Sequence, residues 1–235
     1  MLLLFDIDGT LLRTEGAGLA ALNDAAAALF GPHVHCDGIP AAGRLDPLIM
    51  ADMLVRAGIA PTRETMATVR AEYARRLPAR LASPAFTVRA MPGVDALLAR
   101  LRGEAPRAGA VTGLLTGNYE ETGRMKLQAC GIDPGQFQLN VWGDESPSDP
   151  PTRNDLPGVG LRRFEARHGR RLEAERMVII GDTPHDVACA KAHGGRALAV
   201  ATGKYGVDEL RNAGADEVLE TLEETDRVLA WLLGG

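Results

Sequence analysis

Leu2-Leu3-Leu4-Phe5-Asp6-Ile7-Asp8-Gly9-Thr10 is an apolar run of strand length that stops at two aspartates one residue apart. An apolar run without alternation reads as a strand buried on both faces, as in a parallel sheet covered by helices. Open α/β sheets bind ligands at the C-terminal ends of their strands, which is where Asp6 and Asp8 fall. In an unbroken strand the two side chains would share a face. Gly9-Thr10 ends the strand, so Asp8 can aim differently from Asp6. One acid can then ligate a metal and act as nucleophile while its neighbour transfers protons. A lone Asp-x-Asp is also what a strand running into a solvated acidic turn looks like, so the motif needs company.

From Gly16 to about Pro84 the pattern is helical and holds no convincing strand. Ala20 to Phe30 is Ala/Leu-rich, Asp46-Pro47 opens an apolar run through Val55, and Thr62 starts a segment to about Leu81. Beyond Met91 the pattern alternates. Strands are expected at Val111 to Leu115, Leu139 to Trp142, Met177 to Ile180 and Ala197 to Val200, with an edge strand at Val218-Leu219. Between and after them come helices at Val94 to Leu101, Glu120 to Cys130, Leu156 to His168, Asp186 to His193, Asp208 to Ala213 and Leu222 to Leu233. Such alternation predicts an α/β fold, a Rossmann-like parallel sheet with helices on both faces. The helical block directly after the first strand reads as an inserted all-helical domain over the acids. The expected division is a core of 1–15 and 88–235 with an insert of 16–87.

Two later strand ends provide the company. The second strand ends Leu114-Leu115-Thr116-Gly117-Asn118 before a helix, placing a hydroxyl and free backbone amides where a phosphate oxygen can sit. Taken alone, it is also an ordinary turn with a helix cap. The strand at Met177 ends Ile180-Gly181-Asp182-Thr183-Pro184-His185-Asp186. Asp182 at its tip and Asp186 four residues on can face one point, and carboxylates from two strand ends suit Mg²⁺, which takes hard oxygen ligands. Asp186 by itself is also a common kind of helix N-terminal acid.

Composition narrows the classes. With 235 residues and 46% apolar content, the chain is long enough for one large domain or a domain with an insert. A net charge of −5 gives no reason to expect nucleic acid or an anionic membrane as partner. Cys36, Cys130 and Cys189 are scattered and without metal-ligand spacing, as in a reducing compartment. Leu2 to Phe5 is too short for a secretory signal and acids follow at once, so a cytoplasmic location is expected. Oligomeric state is left open.

Acid-x-acid-Gly-Thr, then Thr-Gly-Asn, then Gly-Asp-x-x-x-Asp, in that order on parallel strands, resembles the haloacid dehalogenase superfamily. The helical insert is similar to that family's type 1 cap. The resemblance implies that Asp6 is the nucleophile forming an aspartyl-phosphate. It makes Asp8 the general acid and then base, and gives Thr116, with Gly117 and Asn118, the phosphoryl group. It further implies Mg²⁺ held by the Asp6 carboxylate, the Asp8 carbonyl and Asp182, with Asp186 steadying the metal or its water.

The chain departs from the family at the catalytic cation. Where the family usually has Lys, this sequence has Arg153-Asn154-Asp155-Leu156-Pro157, so Arg153 is the expected cation. Lys126 is the rival, two turns beyond Asn118, about 12 Å along the helix axis and a long reach for one side chain. Asp8 argues against the dehalogenase branch, and the absence of lysine between Gly16 and Pro84 against the phosphonate-hydrolysing branch. The resemblance then implies a phosphoglycolate-phosphatase-like enzyme acting on a small phosphorylated metabolite. A sugar-phosphate mutase and a catalytically weak phosphate-binding member are the alternatives. In the insert, Arg44 is a candidate contact for an anionic substrate group, with Asp46 as its partner or as a helix cap.

Overall fold

All four side chains of β1 (Leu2–Phe5) have no exposed surface in the computed structural model, which describes residues 1–234. After β1 the chain makes a two-residue strand, β2 (Leu12–Arg13), and enters three helices, α1 (Ala17–Phe30), α2 (Asp46–Arg56) and α3 (Arg63–Leu81). It returns through β3 (Arg89–Ala90), antiparallel to β2. Alternation follows with α4 (Val94–Arg107), β4 (Val111–Leu115), α5 (Glu120–Ala129), β5 (Leu139–Val141), α6 (Leu156–His168) and β6 (Met177–Gly181). The chain closes with α7 (Pro184–Lys191), β7 (Arg196–Val200), α8 (Val207–Asn212), β8 (Glu217–Leu219) and α9 (Thr225–Leu233).

The six longer strands form one parallel sheet in the order β5-β4-β1-β6-β7-β8. The strand bearing Asp6 and Asp8 therefore lies between the strand leading to Thr116 and the strand leading to Asp182, and all three ends open on one edge. Leu3 and Phe5 pack on one face with Leu97, Leu127 and Leu229, and Leu2 and Leu4 pack on the other with Phe164 and Val187. This is the two-sided burial that a non-alternating strand implies. A third apolar cluster, including Leu22, Met53, Val69 and Leu77, belongs to α1, α2 and α3. These helices thus have a core of their own and form an all-helical cap inserted after β1. Among the described residues, no helix is long and apolar enough to cross a membrane.

Several bounds differ from expectation for local reasons. The helix expected from Asp186 begins at Pro184 because Thr183 closes a capping box on Asp186 and Pro184 occupies the first turn. The helix expected to end at Leu101 runs on to Arg107. The last helix starts at Thr225 rather than Leu222, whose amide is held instead by the Pro92 carbonyl. The β2–β3 ribbon has no counterpart in the sequence reading, since two residues are too few to display a period.

Candidate active site

β1 stops where expected. Gly9 adopts a left-handed φ of 83° that a residue with Cβ would resist, and the chain turns away after Asp8. Of the eleven residues singled out in the sequence, all but Asp186 border a single cavity of about 470 Å³ between the sheet edge and the cap. Asp186 lies directly behind it.

Asp6, Asp182 and Asp186 are buried, with one oxygen of each within 4.8 Å of the others. Burial pushes the Asp6 carboxyl up to about 6; Arg153 opposes the shift, and Asp186 and Asp8 add to it. Burial, reinforced by Asp186 and Asp6, raises Asp182 to about 8. The hydroxyl of Thr10 donates to Asp182 Oδ1 at 3.2 Å. A Cβ on Gly203 would come within 1.7 Å of Asp182 Oδ2, so that carboxylate is packed against backbone. With all three acids ionised, the single guanidinium among them leaves two negative charges, which a divalent cation cancels. Hard oxygen ligands, burial and raised proton affinity together fit a divalent metal.

Arg153 reaches this cluster from the short 3-10 turn ahead of α6. Its Nη2 stands 2.5 Å from Asp186 Oδ1 and 3.1 Å from Asp6 Oδ1, and its Nη1 donates to the cap carbonyl of Gly43 at 3.3 Å. Its Nε is buried without a partner. Both oxygens of Asp186 are engaged, Oδ1 by Arg153 and Oδ2 by the Thr183 amide and hydroxyl at 3.0 and 2.7 Å. Asp186 thus holds Arg153 and caps α7.

Lys126 reaches the site as well. Its Nζ donates to Asp8 Oδ2 at 2.7 Å and to Asn118 Oδ1 at 2.6 Å. The two turns that separate it from Asn118 are spanned because helical side chains lean toward the N-terminus and a lysine stem adds about 6 Å. Burial works against its charge, but Asp8, Tyr73 and Asp46 outweigh that and raise its pKa. Asn118 Nδ2 donates to Asp8 Oδ2 and to Thr116 Oγ1, each at 2.8 Å. The site therefore has two cations, Arg153 at Asp6 and Lys126 at Asp8, where the sequence posed a choice between them.

Two cap residues, Arg44 and Asp46, also border the cavity. The Arg44 guanidinium is held by Asp52 at 2.7 Å and the Pro40 carbonyl at 3.1 Å. Asp46 is not its partner. Asp46 sits in the first turn of α2, where its amide donates to the Gly117 carbonyl at 2.7 Å and its Oδ2 accepts from the Tyr119 amide at 3.3 Å. A free amide opening α5 attracts that carboxylate more than an arginine already paired elsewhere. Burial raises the Asp46 carboxyl to about 6 against the pull of Lys126. Tyr73, buried at the same junction, carried no sequence signal beyond its helical spacing.

This geometry has relatives. A family model described as haloacid dehalogenase-like hydrolase matches residues 3–191, and an HAD-hydrolase-like model matches residues 160–225. "Probable phosphatase IndB" of Dickeya dadantii (strain 3937) is 26% identical over 232 residues, covering 95% of this chain and 90% of that one. CbbY from Rhodobacter sphaeroides, solved in complex with phosphate, superposes with a TM-score of 0.70 at 25% identity over 95% of each chain. A predicted phosphoglycolate phosphatase from Haemophilus somnus 129PT shares the fold, with a TM-score of 0.67 at 17% identity over 97% of this chain and 96% of that one. The parallel sheet, the inserted cap, the three strand ends and a family match over most of the chain lead to one conclusion: the protein belongs to the haloacid dehalogenase-like hydrolases and is an enzyme of that family.

Proposed function

We propose that the protein is a Mg²⁺-dependent phosphatase that hydrolyses a small phosphomonoester through an aspartyl-phosphate on Asp6. The observation carrying this reading is the separation of the two acids. Asp6 is buried in the carboxylate cluster beside Arg153, and Asp8 faces the cavity beside Lys126 and Asn118. Asp6 attacks phosphorus as the ester P–O bond breaks, and the departing alcohol oxygen takes the proton of Asp8. A water then attacks phosphorus and gives its proton to Asp8, the Asp6–phosphorus bond breaks, and inorganic phosphate leaves. Thr116, the amides of Gly117 and Asn118, and Arg153 are the groups that hold the transferring oxygens.

Asp6, Asp182 and the Asp8 carbonyl would hold Mg²⁺, which supplies charge neutralisation between an anionic nucleophile and an anionic phosphate. The expected division of labour follows the chain: 1–15 and 88–235 carry the chemistry, and 16–87 chooses the alcohol. A relative solved with phosphate and another named a phosphatase support the reading. The test is Mg²⁺-dependent phosphate release from an aryl phosphate and a panel of metabolite esters, abolished by Asp6→Asn. Conversion of a sugar 1-phosphate to its 6-phosphate without net release would replace this reading with a mutase.

A further inference from the structure

Lys126 belongs to the core, yet both halves of the molecule build its surroundings. From the core, Asp8 and Asn118 accept hydrogen bonds from its ammonium. From the cap, α1 lies against its tip: a Cβ on Gly18 would stand 3.3 Å from Lys126 Cε, 3.4 Å from its Nζ and 3.4 Å from the Tyr73 hydroxyl. A Cβ there would press on the lysine tip, and the Tyr73 hydroxyl of α3 lies equally close to that point. Cap residues of α1 and α3 thus share with the core in burying the lysine tip.

Its effect on Asp8 is directional. Lys126 Nζ and Asn118 Nδ2 both donate to the same oxygen, Oδ2, at 2.7 and 2.8 Å. Oδ1 accepts no hydrogen bond among the described residues. A carboxyl group rotates easily about its last bond, and two donors on one oxygen remove that freedom. The Lys126–Asn118 bond at 2.6 Å closes the three groups into a ring.

We propose that Lys126 is a positioning residue for Asp8. It pins Oδ2 so that Oδ1 is the oxygen that trades protons with the alcohol and the water, and its seat is complete only when the cap is closed. Lys126 keeps its own protons throughout. The role at Asp8 rests on the phosphatase reading above; the cap-dependent seat does not. Closure then prepares the proton-transfer step as well as excluding water.

Two measurements on the full-length protein test this. In the first, Lys126→Met is assayed on an alkyl phosphate, whose alcohol needs a proton to leave, and on 2,4-dinitrophenyl phosphate, whose phenolate does not. The expected loss in kcat/KM, which reports only phosphoryl transfer to Asp6 and not the later hydrolysis that uses Asp8 with either ester, is about 100-fold or more on the alkyl ester and less than about threefold on the aryl ester. Gly18→Val, which keeps the lysine but crowds it, should show the same selectivity at smaller size. Equal loss of kcat/KM on both esters would make Lys126 a phosphate ligand or a structural residue and overturn the proposal, as would no loss at all.

The second measurement uses the fact that lysine occurs only at 126, 191 and 204. Amine acylation followed by mass spectrometry should find Lys126 the slowest of the three. Arg70→Ala removes the bonds from α3 to Glu121, at 2.5 and 2.8 Å, and to Asp144, at 2.7 Å, and should speed acylation of Lys126 alone. An unchanged Lys126 rate would overturn the cap-dependent seat. Wild-type protein inert toward both esters would overturn the phosphatase reading and the role at Asp8, while acylation would still decide the seat.

Discussion

Arg153 Nη2 lies 3.1 Å from Asp6 Oδ1, and both side chains are buried. The same nitrogen serves Asp186 at 2.5 Å, so one guanidinium keeps two interior carboxylates compensated. Arg153→Ala should lower kcat by roughly 10²- to 10³-fold. It should also cost about 3–5 kcal/mol of stability, because the acids stay buried without their partner. Arg153→Lys should keep part of each, an ammonium being unable to reproduce the planar fork. Steady-state kinetics on an aryl phosphate with urea unfolding would measure both. Full activity in Arg153→Ala beside its loss in Lys126→Ala would assign the phosphoryl-facing charge to Lys126.

Stability should depend on pH and metal together. Burial, the main cause, raises Asp6 to about 6 and Asp182 to about 8, whereas both ionise near 3.8 once unfolded. Through that range the folded protein holds more protons than the unfolded chain, so metal-free stability should fall as pH rises from about 4 to about 8. Bound to the ionised acids, Mg²⁺ should raise Tm more near pH 8 than near pH 5, by roughly 5 °C or more at the alkaline end. Scanning calorimetry with and without Mg²⁺ would show it. A metal-free Tm that climbs over this range would contradict the assignment.

Gly203→Ala should impair the metal site and spare the fold. Its new Cβ would lie 1.7 Å from Asp182 Oδ2 and must displace that carboxylate. Mg²⁺ affinity by calorimetric titration should fall about 10- to 100-fold, with the metal-free Tm little changed. Unaltered affinity would remove Asp182 from the ligand set.

Asp52→Asn tests what Arg44 reads. In the structure Arg44 is tied to Asp52 at 2.7 Å and must leave it to meet a substrate anion. Releasing it should lower KM roughly two- to fivefold for esters carrying a second anionic group and leave esters of neutral alcohols unchanged. No difference between the two classes would exclude Arg44 from substrate recognition.

What could be read from the sequence follows the range of the forces involved. Leu2 to Phe5 and Met177 to Ile180 announce buried strands because burial on both faces is a local pattern. Asp6, Thr116 and Asp182 converge because parallel strands in register present their ends on one edge. Lys126, Asp46 and Tyr73 were beyond that logic. Their positions depend on how three cap helices dock on α5, and a helical period says which residues face inward without saying what they meet. Arg44 shows the same limit, since its carboxylate partner proved to be Asp52 rather than the neighbour in sequence.

The sheet order carries a last consequence, for synthesis. β1 pairs with strands that begin at Val111 and Met177, and with no strand near it in sequence. A ribosome therefore makes Asp6, the proposed nucleophile, long before it makes either neighbour that holds it in place. Asp6 should stay unplaced and inert until β6 has emerged, so this enzyme should acquire its activity only then and in one step, although Asp6 is made before either neighbour.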